Sequence, residues 1–189
     1  MRSSTHSSFL TLREMIYKLY LLFLYIFISC ANPLKQENNT NILPDLNLVN
    51  GIEIVTWNIE FFPKLGSRTI DSVYNVITSL NADVYCLQEI SNKGSFQELA
   101  DRLIDYEYVI SDDTDYLNLA LLYKKNDFNI RSKSSLFTEN MYEFANRPPL
   151  RVEMTYEGEN PFDFTLINMH MKCCDNGYSR RVSSAQILY

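Results

Sequence analysis

The sequence of 189 residues predicts a layered α/β fold built around a largely antiparallel sheet. Hydrophobic residues make up 46% of the chain and charged residues 21%, which is a globular composition rather than a disordered or fibrous one. Strand and helix patterns alternate in the first half of the chain, and a run of strand patterns follows them. That order is typical of mixed α/β layers.

The first half contains two predicted strands and two predicted helices. Residues 52–56 are a β-branched run and residues 83–88 are an apolar run, and both are typical of strands. In residues 67–80 the apolar positions fall on one face of a helix. Ser95 begins a capping box with the glutamate three residues later, which predicts a second helix over residues 96–104.

Five further strands and a final helix are predicted in the rest of the chain. The strand patterns cover residues 106–110, 117–123, 128–136, 150–156 and 162–171. Turn residues separate several of these segments. Residues 179–189 are typical of an amphipathic helix with Val182 and Ala185 on its inward face.

The charge balance excludes a strongly basic surface over the whole protein. The chain has 17 Lys and Arg against 23 Asp and Glu, which is a net charge of −6. It therefore lacks a strongly basic coat for nucleic acid, and any phosphate binding must be local. Four cysteines in a chain of this length do not indicate a disulfide-stapled miniprotein.

The N-terminus has the pattern of an export signal. Residues 19–29 are an unbroken apolar run, too short to span a bilayer comfortably, with basic residues before it and small residues after it. We expect residues 1–29 to be a signal peptide, and an uncleaved signal anchor is the alternative. Cys30 follows the run directly and resembles the lipobox cysteine that is acylated in bacterial lipoproteins. Because a compact signal also follows Met15, the start stays open between Met1 and Met15.

The predicted domain organisation has three parts. Residues 1–29 are the signal peptide, residues 30–50 are a tether, and residues 51–189 are the folded domain. The tether is polar, rich in Asn and broken by two prolines, which is typical of a linker. Lipidation at Cys30 predicts an exported protein anchored to a membrane of the bacterial cell envelope. No protein partner is indicated.

Polar residues are predicted at strand ends, where a rigid sheet can aim several side chains at one point. Glu89 carries hard oxygen ligands suited to Mg²⁺, and a solvated strand-end carboxylate is the alternative. Asn58 could hold a phosphate oxygen or cap a turn. His170, the only imidazole of the predicted mature protein, could contact a phosphate, act as a general acid or be structural. Arg147 suits bidentate phosphate contact, or is a surface-loop residue.

These residues lie in segments that resemble the endonuclease/exonuclease/phosphatase superfamily, which has the deoxyribonuclease I-like fold. Five segments carry the resemblance in the family's order: IVTWNIEFF, ADVYCLQEI, YVISDDTDYLNLALLYKK, NRPPLRVEM and FTLINMHMKCC. The resemblance covers about residues 52–189. It implies a layered α/β sandwich of two sheets.

The resemblance also implies roles for individual residues. Glu89 is expected to bind Mg²⁺ or Mn²⁺, and His170 is expected to face the phosphate. Asn58 is expected to be an active-site amide. Tyr116 and Arg147 are expected to be phosphate-contacting side chains.

The sequence departs from the family in two places. Asn118 falls near a position where some members carry a glutamate paired with the histidine. The family's Gly-Asp-x-Asn and Ser-Asp-His elements, which handle the attacking water and the leaving group, do not occur after His170. Asp112, Asp113 and Asp115 are the remaining candidates for a second acid. We therefore expect a C-terminally truncated domain with about the first half of the sandwich.

The function that the resemblance implies is a Mg²⁺-dependent phosphoric-ester hydrolase that is inactive as this truncated chain. The class includes nucleases, phosphodiesterases and phosphatases. The expected substrate is a phosphate ester, either nucleic acid or a phospholipid headgroup. The alternative is a non-catalytic surface lipoprotein fragment from a disrupted gene.

Two adjacent cysteines follow the histidine. Cys173 and Cys174 could close a strained ring or pair elsewhere, and some exported members of the family carry a similar pair. An exported chain could oxidise them, and both states stay open at this point. Cys86 lies in an apolar strand pattern and is expected to be a buried thiol.

Overall fold

The computed structural model describes residues 51–113 and 116–189. The predicted signal peptide, Cys30 and the predicted tether lie outside the described residues, as does Asp115. Among the described residues there is no helix of the length and hydropathy needed to cross a membrane. The strands are β1 (Ile54–Phe62), β2 (Val84–Ile90), β3 (Tyr106–Ile110), β4 (Asn118–Lys124), β5 (Phe128–Ser135), β6 (Leu150–Tyr156) and β7 (Phe162–Asn168). The α-helices are α1 (Ser67–Leu80), α2 (Lys93–Arg102) and α3 (Tyr178–Leu188).

The strands form two sheets. Sheet A has the order β1-β2-β4-β3, in which β1 and β2 are parallel and the other pairs are antiparallel. Sheet B has the order β5-β6-β7 and is antiparallel throughout. The single parallel pair needs a crossover, and α1 provides it. The predicted α/β class with mostly antiparallel pairing is confirmed.

The two sheets and the first two helices stack in three layers. The central strand β2 is buried on both faces because successive side chains of a strand point to opposite sides. Its Tyr85 and Leu87 belong to the core shared with α1 and α2, whereas Val84 and Cys86 belong to the core shared with sheet B. Burial of Cys86 was predicted and is confirmed.

Helix α1 has the predicted bounds. Its apolar positions Ile70, Val73 and Ile77 follow the three- and four-residue spacing of one helical face, and all three are buried. The helix ends at Asn81, whose backbone is left-handed and whose N–H donates to the carbonyl of Ile77 at 2.9 Å. Asparagine tolerates this conformation better than most residues, which explains the stop.

The predicted start of α2 is wrong. The helix begins at Lys93, and Asn92 caps it: its side-chain oxygen accepts the backbone N–H of Ser95 at 2.8 Å. Ser95 therefore lies within the first turn instead of capping it. Asparagine and serine are both good capping residues, and the sequence pattern alone favoured the wrong one.

The predicted inward face of α3 is also wrong. Val182 and Ala185 are exposed, whereas Ser184 is buried. The reason is a polar contact: Arg181 Nη1 donates to the carbonyls of Lys172 and Cys174 at 2.7 and 2.9 Å. The helix is thus fixed by hydrogen bonds to the preceding loop rather than by an apolar stripe.

Among the strand ends that differ from the predicted ones, three bear on the candidate site residues. β1 continues to Phe62 and β2 to Ile90, so Asn58 and Glu89 lie within strands instead of after them. The ladder is irregular between Asn58 and Phe62, and pairing resumes where Phe62 meets Ile90. β7 ends two residues before His170, which therefore stands in the following loop.

Candidate functional site

The parallel pair β1 and β2 brings Asn58 and Glu89 into contact. Asn58 Nδ2 donates to Glu89 Oε1 at 3.1 Å, and the backbone N–H of Phe61 donates to Oε2 at 3.2 Å. Each carboxylate oxygen therefore accepts one N–H and keeps further acceptor capacity. The Glu89 side chain is 13% exposed, so it is oriented by the protein and still reaches the surface.

The backbone around this carboxylate is unusual. Glu89 has φ 66°, and Glu60 and Phe61 on β1 have φ 41° and 52°. Side chains with a Cβ rarely adopt the left-handed region, which costs on the order of 1–3 kcal/mol per residue and is concentrated at functional sites. The irregular stretch of β1 and β2 thus coincides with the point where Glu89 contacts Asn58 and the backbone of Phe61.

His170 lies beside Glu89. Its Nε2 is 3.5 Å from Glu89 Oε1, and its Nδ1 is buried without a hydrogen-bond partner in the part of the chain that the structure describes. Burial lowers the pKa of His170, the positive charge of Arg147 lowers it further, and Glu89 opposes both. The surroundings of His170 therefore favour the neutral imidazole.

Arg147 connects this cluster to a basic cleft. Its side chain is 9% exposed, and its Nε is buried without a partner among the described residues. Burial lowers the pKa of Arg147, and the charge of Glu89 counteracts that effect. Arg147 also lines this cleft, so its guanidinium charge is placed to bind an anion there.

The basic cleft has a volume of about 400 Å³. Its lining includes three cationic side chains, Arg147, Lys172 and Arg180. Tyr116 lies on the same wall, 57% exposed, with its ring centroid 6.2 Å from that of Phe61. The predicted phosphate-contacting pair, Tyr116 and Arg147, thus shares one cleft, and the Phe61 ring stands at its edge.

Two buried amides that the sequence analysis did not single out support the site. Asn168, at the end of β7, donates from Nδ2 to the carbonyls of Leu87 and Ala120 at 2.9 and 3.0 Å. Its Oδ1 accepts Gln88 Nε2 at 2.8 Å. These bonds join sheet B to β2 and β4 directly before Glu89. The position of Asn168 near the end of a predicted strand was the only sequence feature that could have indicated this role. That feature does not distinguish a buried amide from a solvated one.

The other predicted acids are engaged elsewhere. Asp112 forms an ion pair with Lys133 at 2.7 Å, and Asp113 accepts a hydrogen bond from Ser135. Asn118 is fully buried and donates to the carbonyl of Ile90 at 3.2 Å, so it supports β2. Glu89 is the carboxylate that the structure places beside the histidine.

The donor set at Glu89 fits a hard divalent cation. Carboxylate and amide oxygens are the protein ligands that Mg²⁺ and Mn²⁺ prefer, and Mg²⁺ keeps several water or phosphate ligands besides one or two carboxylates. Glu89 and Asn58 are the residues that would hold the ion. Within residues 51–113 and 116–189, no group of three or more His, Cys, Asp or Glu side chains forms a complete metal cage.

Solved structures share this architecture. D. rerio TDP2 complexed with a single-strand DNA product matches with a TM-score of 0.59 and 18% identity, over 72% of this chain and 52% of that chain. The endonuclease/exonuclease/phosphatase from Bacteroides vulgatus matches with a TM-score of 0.58 and 17% identity, over 72% and 58%. The chain has the endonuclease/exonuclease/phosphatase fold. The fold predicted from the sequence resemblance is therefore confirmed.

The match is partial in length and distant in sequence. Truncated Caenorhabditis elegans TDP2 gives a TM-score of 0.58 and 17% identity, over 72% of this chain and 53% of that one. The chain thus spans about half the length of the solved structures that it resembles. No protein-family model matches the chain, and no curated protein matches it.

Proposed function

We propose that the protein is a Mg²⁺-dependent phosphoric-ester hydrolase. The observation that carries this proposal is the contact of Glu89, Asn58 and His170 beside the buried Arg147. One carboxylate, one amide, one imidazole and one guanidinium that lines the basic cleft supply complementary contacts to a metal-bound phosphate ester. The fold shared with enzymes named for phosphoester chemistry supports the same conclusion.

Each residue has a distinct part in this proposal. Glu89 and Asn58 hold the cation, which when bound polarises the phosphate and offsets its charge. Arg147 binds a phosphate oxygen and stabilises negative charge on the reacting group. We expect His170, which is held beside Glu89, to face the phosphate. Tyr116 adds a hydroxyl at the entrance of the cleft.

The substrate class that we favour is a phosphodiester, either nucleic acid or a phospholipid headgroup. Three cations in one cleft suit an anionic chain or headgroup, and they act locally because the protein is acidic as a whole. The D. rerio TDP2 structure holds a single-strand DNA product, which supports nucleic acid as the first substrate to test.

The test combines metal binding with turnover. The full chain is titrated with Mn²⁺ by calorimetry and is then assayed with Mg²⁺ and bis(p-nitrophenyl) phosphate or an oligonucleotide. Glu89→Gln keeps the shape and removes the charge, so metal binding should fall at least tenfold, and any turnover that the wild type shows should be lost. Glu98→Gln, at an exposed position of α2, is the matched control and should resemble wild type.

A second candidate, a non-catalytic phosphate-ester-binding protein, follows from one observation. In the described part of the chain, no second carboxylate joins Glu89 and His170 to activate water. Metal and phosphate binding without turnover would support this candidate against the hydrolase. Equal metal binding by wild type and Glu89→Gln would contradict both.

We also propose that the protein is an exported lipoprotein held at a bacterial membrane through Cys30. The apolar run before Cys30 supports this proposal. Cys30→Ser should move the protein from the membrane fraction to the soluble fraction and abolish labelling by radioactive palmitate. A wild-type chain without lipid label would contradict it.

A further inference from the structure

The loop between β7 and α3 carries two exposed cysteines in contact. Cys174 Sγ donates to Cys173 Sγ at 2.8 Å, and both residues are exposed. The third described cysteine, Cys86, is buried, and burial raises its pKa to about 11. Reactive thiol chemistry in the described part of the chain is therefore concentrated at Cys173 and Cys174.

The loop holds this pair in a defined conformation. Arg181 Nη1 donates to the carbonyls of Lys172 and Cys174, on both sides of Cys173. Gly177 lies so close to the loop that a Cβ there would stand 2.9 Å from the Lys172 carbonyl. Cys174 itself has φ 67°, in the left-handed region. The contact between the two sulfurs is therefore set by the packing of α3.

The two thiols are chemically different. The hydrogen bond from Cys174 lowers the pKa of Cys173, and the positive charges of Lys172 and Arg147 add to that effect. The same hydrogen bond raises the pKa of Cys174, while Lys172 and Arg181 oppose the rise. Cys173 is thus the thiol that loses its proton more easily and acts as the nucleophile, and Cys174 reacts second.

The pair also borders the basic cleft. Lys172 Nζ lies 3.9 Å from Cys173 Sγ, and Lys172 lines the cleft with Arg147 and Arg180. A thiolate at Cys173 therefore competes with a bound anion for the charge of Lys172. Oxidation of the sulfur removes this negative charge.

We propose that Cys173 and Cys174 form a reversible vicinal disulfide, and that its closure strengthens anion binding in the adjacent basic cleft. The second half of this inference rests on the proposed function, since it takes the cleft to bind phosphate. The first half stands on the two sulfurs alone.

The reaction is a thiol–disulfide exchange with a small-molecule disulfide such as oxidised glutathione. The Cys173 thiolate attacks one sulfur of the reagent, forms a mixed disulfide and releases one thiolate. Cys174 then loses its proton, its sulfur attacks Cys173 Sγ, and the second thiolate leaves. Two protein thiols are oxidised by two electrons, and one disulfide is reduced to two thiols.

Reversibility follows from the spacing of the two residues. Neighbouring Cα atoms are about 3.8 Å apart across a trans peptide, whereas disulfides usually join Cα atoms about 4.4–6.8 Å apart. A ring between neighbours is therefore strained, and strained, exposed disulfides are the ones that small thiols reduce.

The first experiment measures the ring itself. The full chain is equilibrated in mixtures of reduced and oxidised glutathione, quenched with acid and treated with N-ethylmaleimide. Trypsin cuts after Lys172 and Arg180, so one peptide, residues 173–180, holds both cysteines. In oxidising buffer this peptide should be two hydrogen atoms lighter than its dithiol form and carry no maleimide. In reducing buffer it should carry two maleimide groups. Two maleimides in every buffer, or a link to Cys86 or to another chain, would overturn the proposal.

The second experiment measures the cleft, with inorganic phosphate as the probe and no divalent metal. Calorimetry is run at pH about 8.5, near the ordinary cysteine pKa, so that Cys173 is a thiolate in the reduced protein. The Coulomb energy of one charge pair about 4 Å apart in water corresponds to a change of about fivefold. We expect the oxidised protein to bind phosphate about fivefold more tightly than the reduced protein.

Two variants test whether the charge of the Cys173 thiolate causes the difference in phosphate affinity. The double variant Cys173→Ser with Cys174→Ser has no thiolate, so it should bind phosphate like the oxidised wild type in either buffer. Lys172→Gln should reduce the difference between the redox states, because Arg147 still acts on the charge of Cys173. If the ring forms and phosphate affinity does not change, the regulatory half is wrong. If phosphate binds in neither state, the regulatory half is wrong as well, while the first experiment still decides the ring and the Glu89→Gln comparison still decides the proposed function.

Discussion

Replacing Asn168 tests whether a single buried amide holds the two sheets together beside the site. The residue is 3% exposed and makes three hydrogen bonds, two to the carbonyls of Leu87 and Ala120 and one from Gln88. Asn168→Leu has a similar volume and keeps none of them. Gln88 Nε2 retains Cys86 O and Thr56 Oγ1 as partners.

The expected cost follows from the lost hydrogen bonds. Leu87 and Ala120 are paired in the β2–β4 ladder, so the change removes three buried hydrogen bonds without stranding either carbonyl; at about 0.5–1.5 kcal/mol each, these bonds contribute about 1.5–4.5 kcal/mol. Added apolar contact from leucine offsets part of this, and we expect the free energy of unfolding to fall by about 3 kcal/mol. That is a large fraction of the roughly 5–15 kcal/mol typical of a folded domain.

The assay is urea denaturation of the full chain, followed by circular dichroism and by tyrosine and tryptophan fluorescence. The midpoint should fall with an unchanged slope against urea, because the surface exposed on unfolding is the same. Asn129→Ala, at an exposed position of β5, is the control and should stay within about 0.5 kcal/mol of wild type. An Asn168→Leu protein as stable as this control would refute the role assigned to the amide.

Two further predictions concern single residues. In a His6→Asn background, the one remaining imidazole signal by NMR should titrate below the ordinary histidine pKa of about 6.5, because burial and Arg147 lower the pKa of His170. The folded chain then binds this proton more weakly than the unfolded chain, so stability is lost as pH falls from about 6.5 through the folded pKa. His170→Asn should flatten that loss, and a titration at or above 6.5 would contradict the assignment. Asn92→Ala should lower the free energy of unfolding by about 1 kcal/mol in urea denaturation, because it removes the cap of α2. Ser95→Ala should have a smaller effect, because Ser95 contributes only its backbone N–H to the cap. Equal losses in the two variants would show that the serine hydroxyl contributes to the cap.

Lys172 and Arg147 have a part in both the proposed redox change and the proposed phosphate binding. Both residues line the cleft, and both act on the charge of Cys173. A change in sulfur chemistry therefore reaches phosphate binding without any movement of the sheets. The two experiments separate these effects, because the ring is read by mass and the cleft by affinity.

Periodicity alone determined most of the elements. The bounds of α1, β3 and β6 agree with the predicted ones. In α1 and β6 the reason is a clear 3.6-residue or two-residue alternation of apolar side chains. The order of these elements was enough to predict the α/β class. Five short motifs in sequence order were enough to predict the fold, which the solved structures confirm.

Tertiary structure decided how the site residues meet. Glu89 faces Asn58 and His170 because the β1–β2 ladder is irregular and Glu89 has a left-handed backbone, and no residue pattern reports a register shift. The helix α3 turns its serine inward for a similar reason, since hydrogen bonds from Arg181 to a loop outweigh a weak apolar stripe.

The sequence thus determined which residues are available for chemistry, and the tertiary structure determined which of them act together. Asn168 shows the difference most clearly. In the sequence it is one polar residue at the end of a strand, and in the fold it joins β2, β4 and β7 from a fully enclosed position. Local patterns report the periodicity of a single element, whereas such contacts form between elements up to 81 positions apart in the chain. Their energy depends on the burial that only the assembled layers provide.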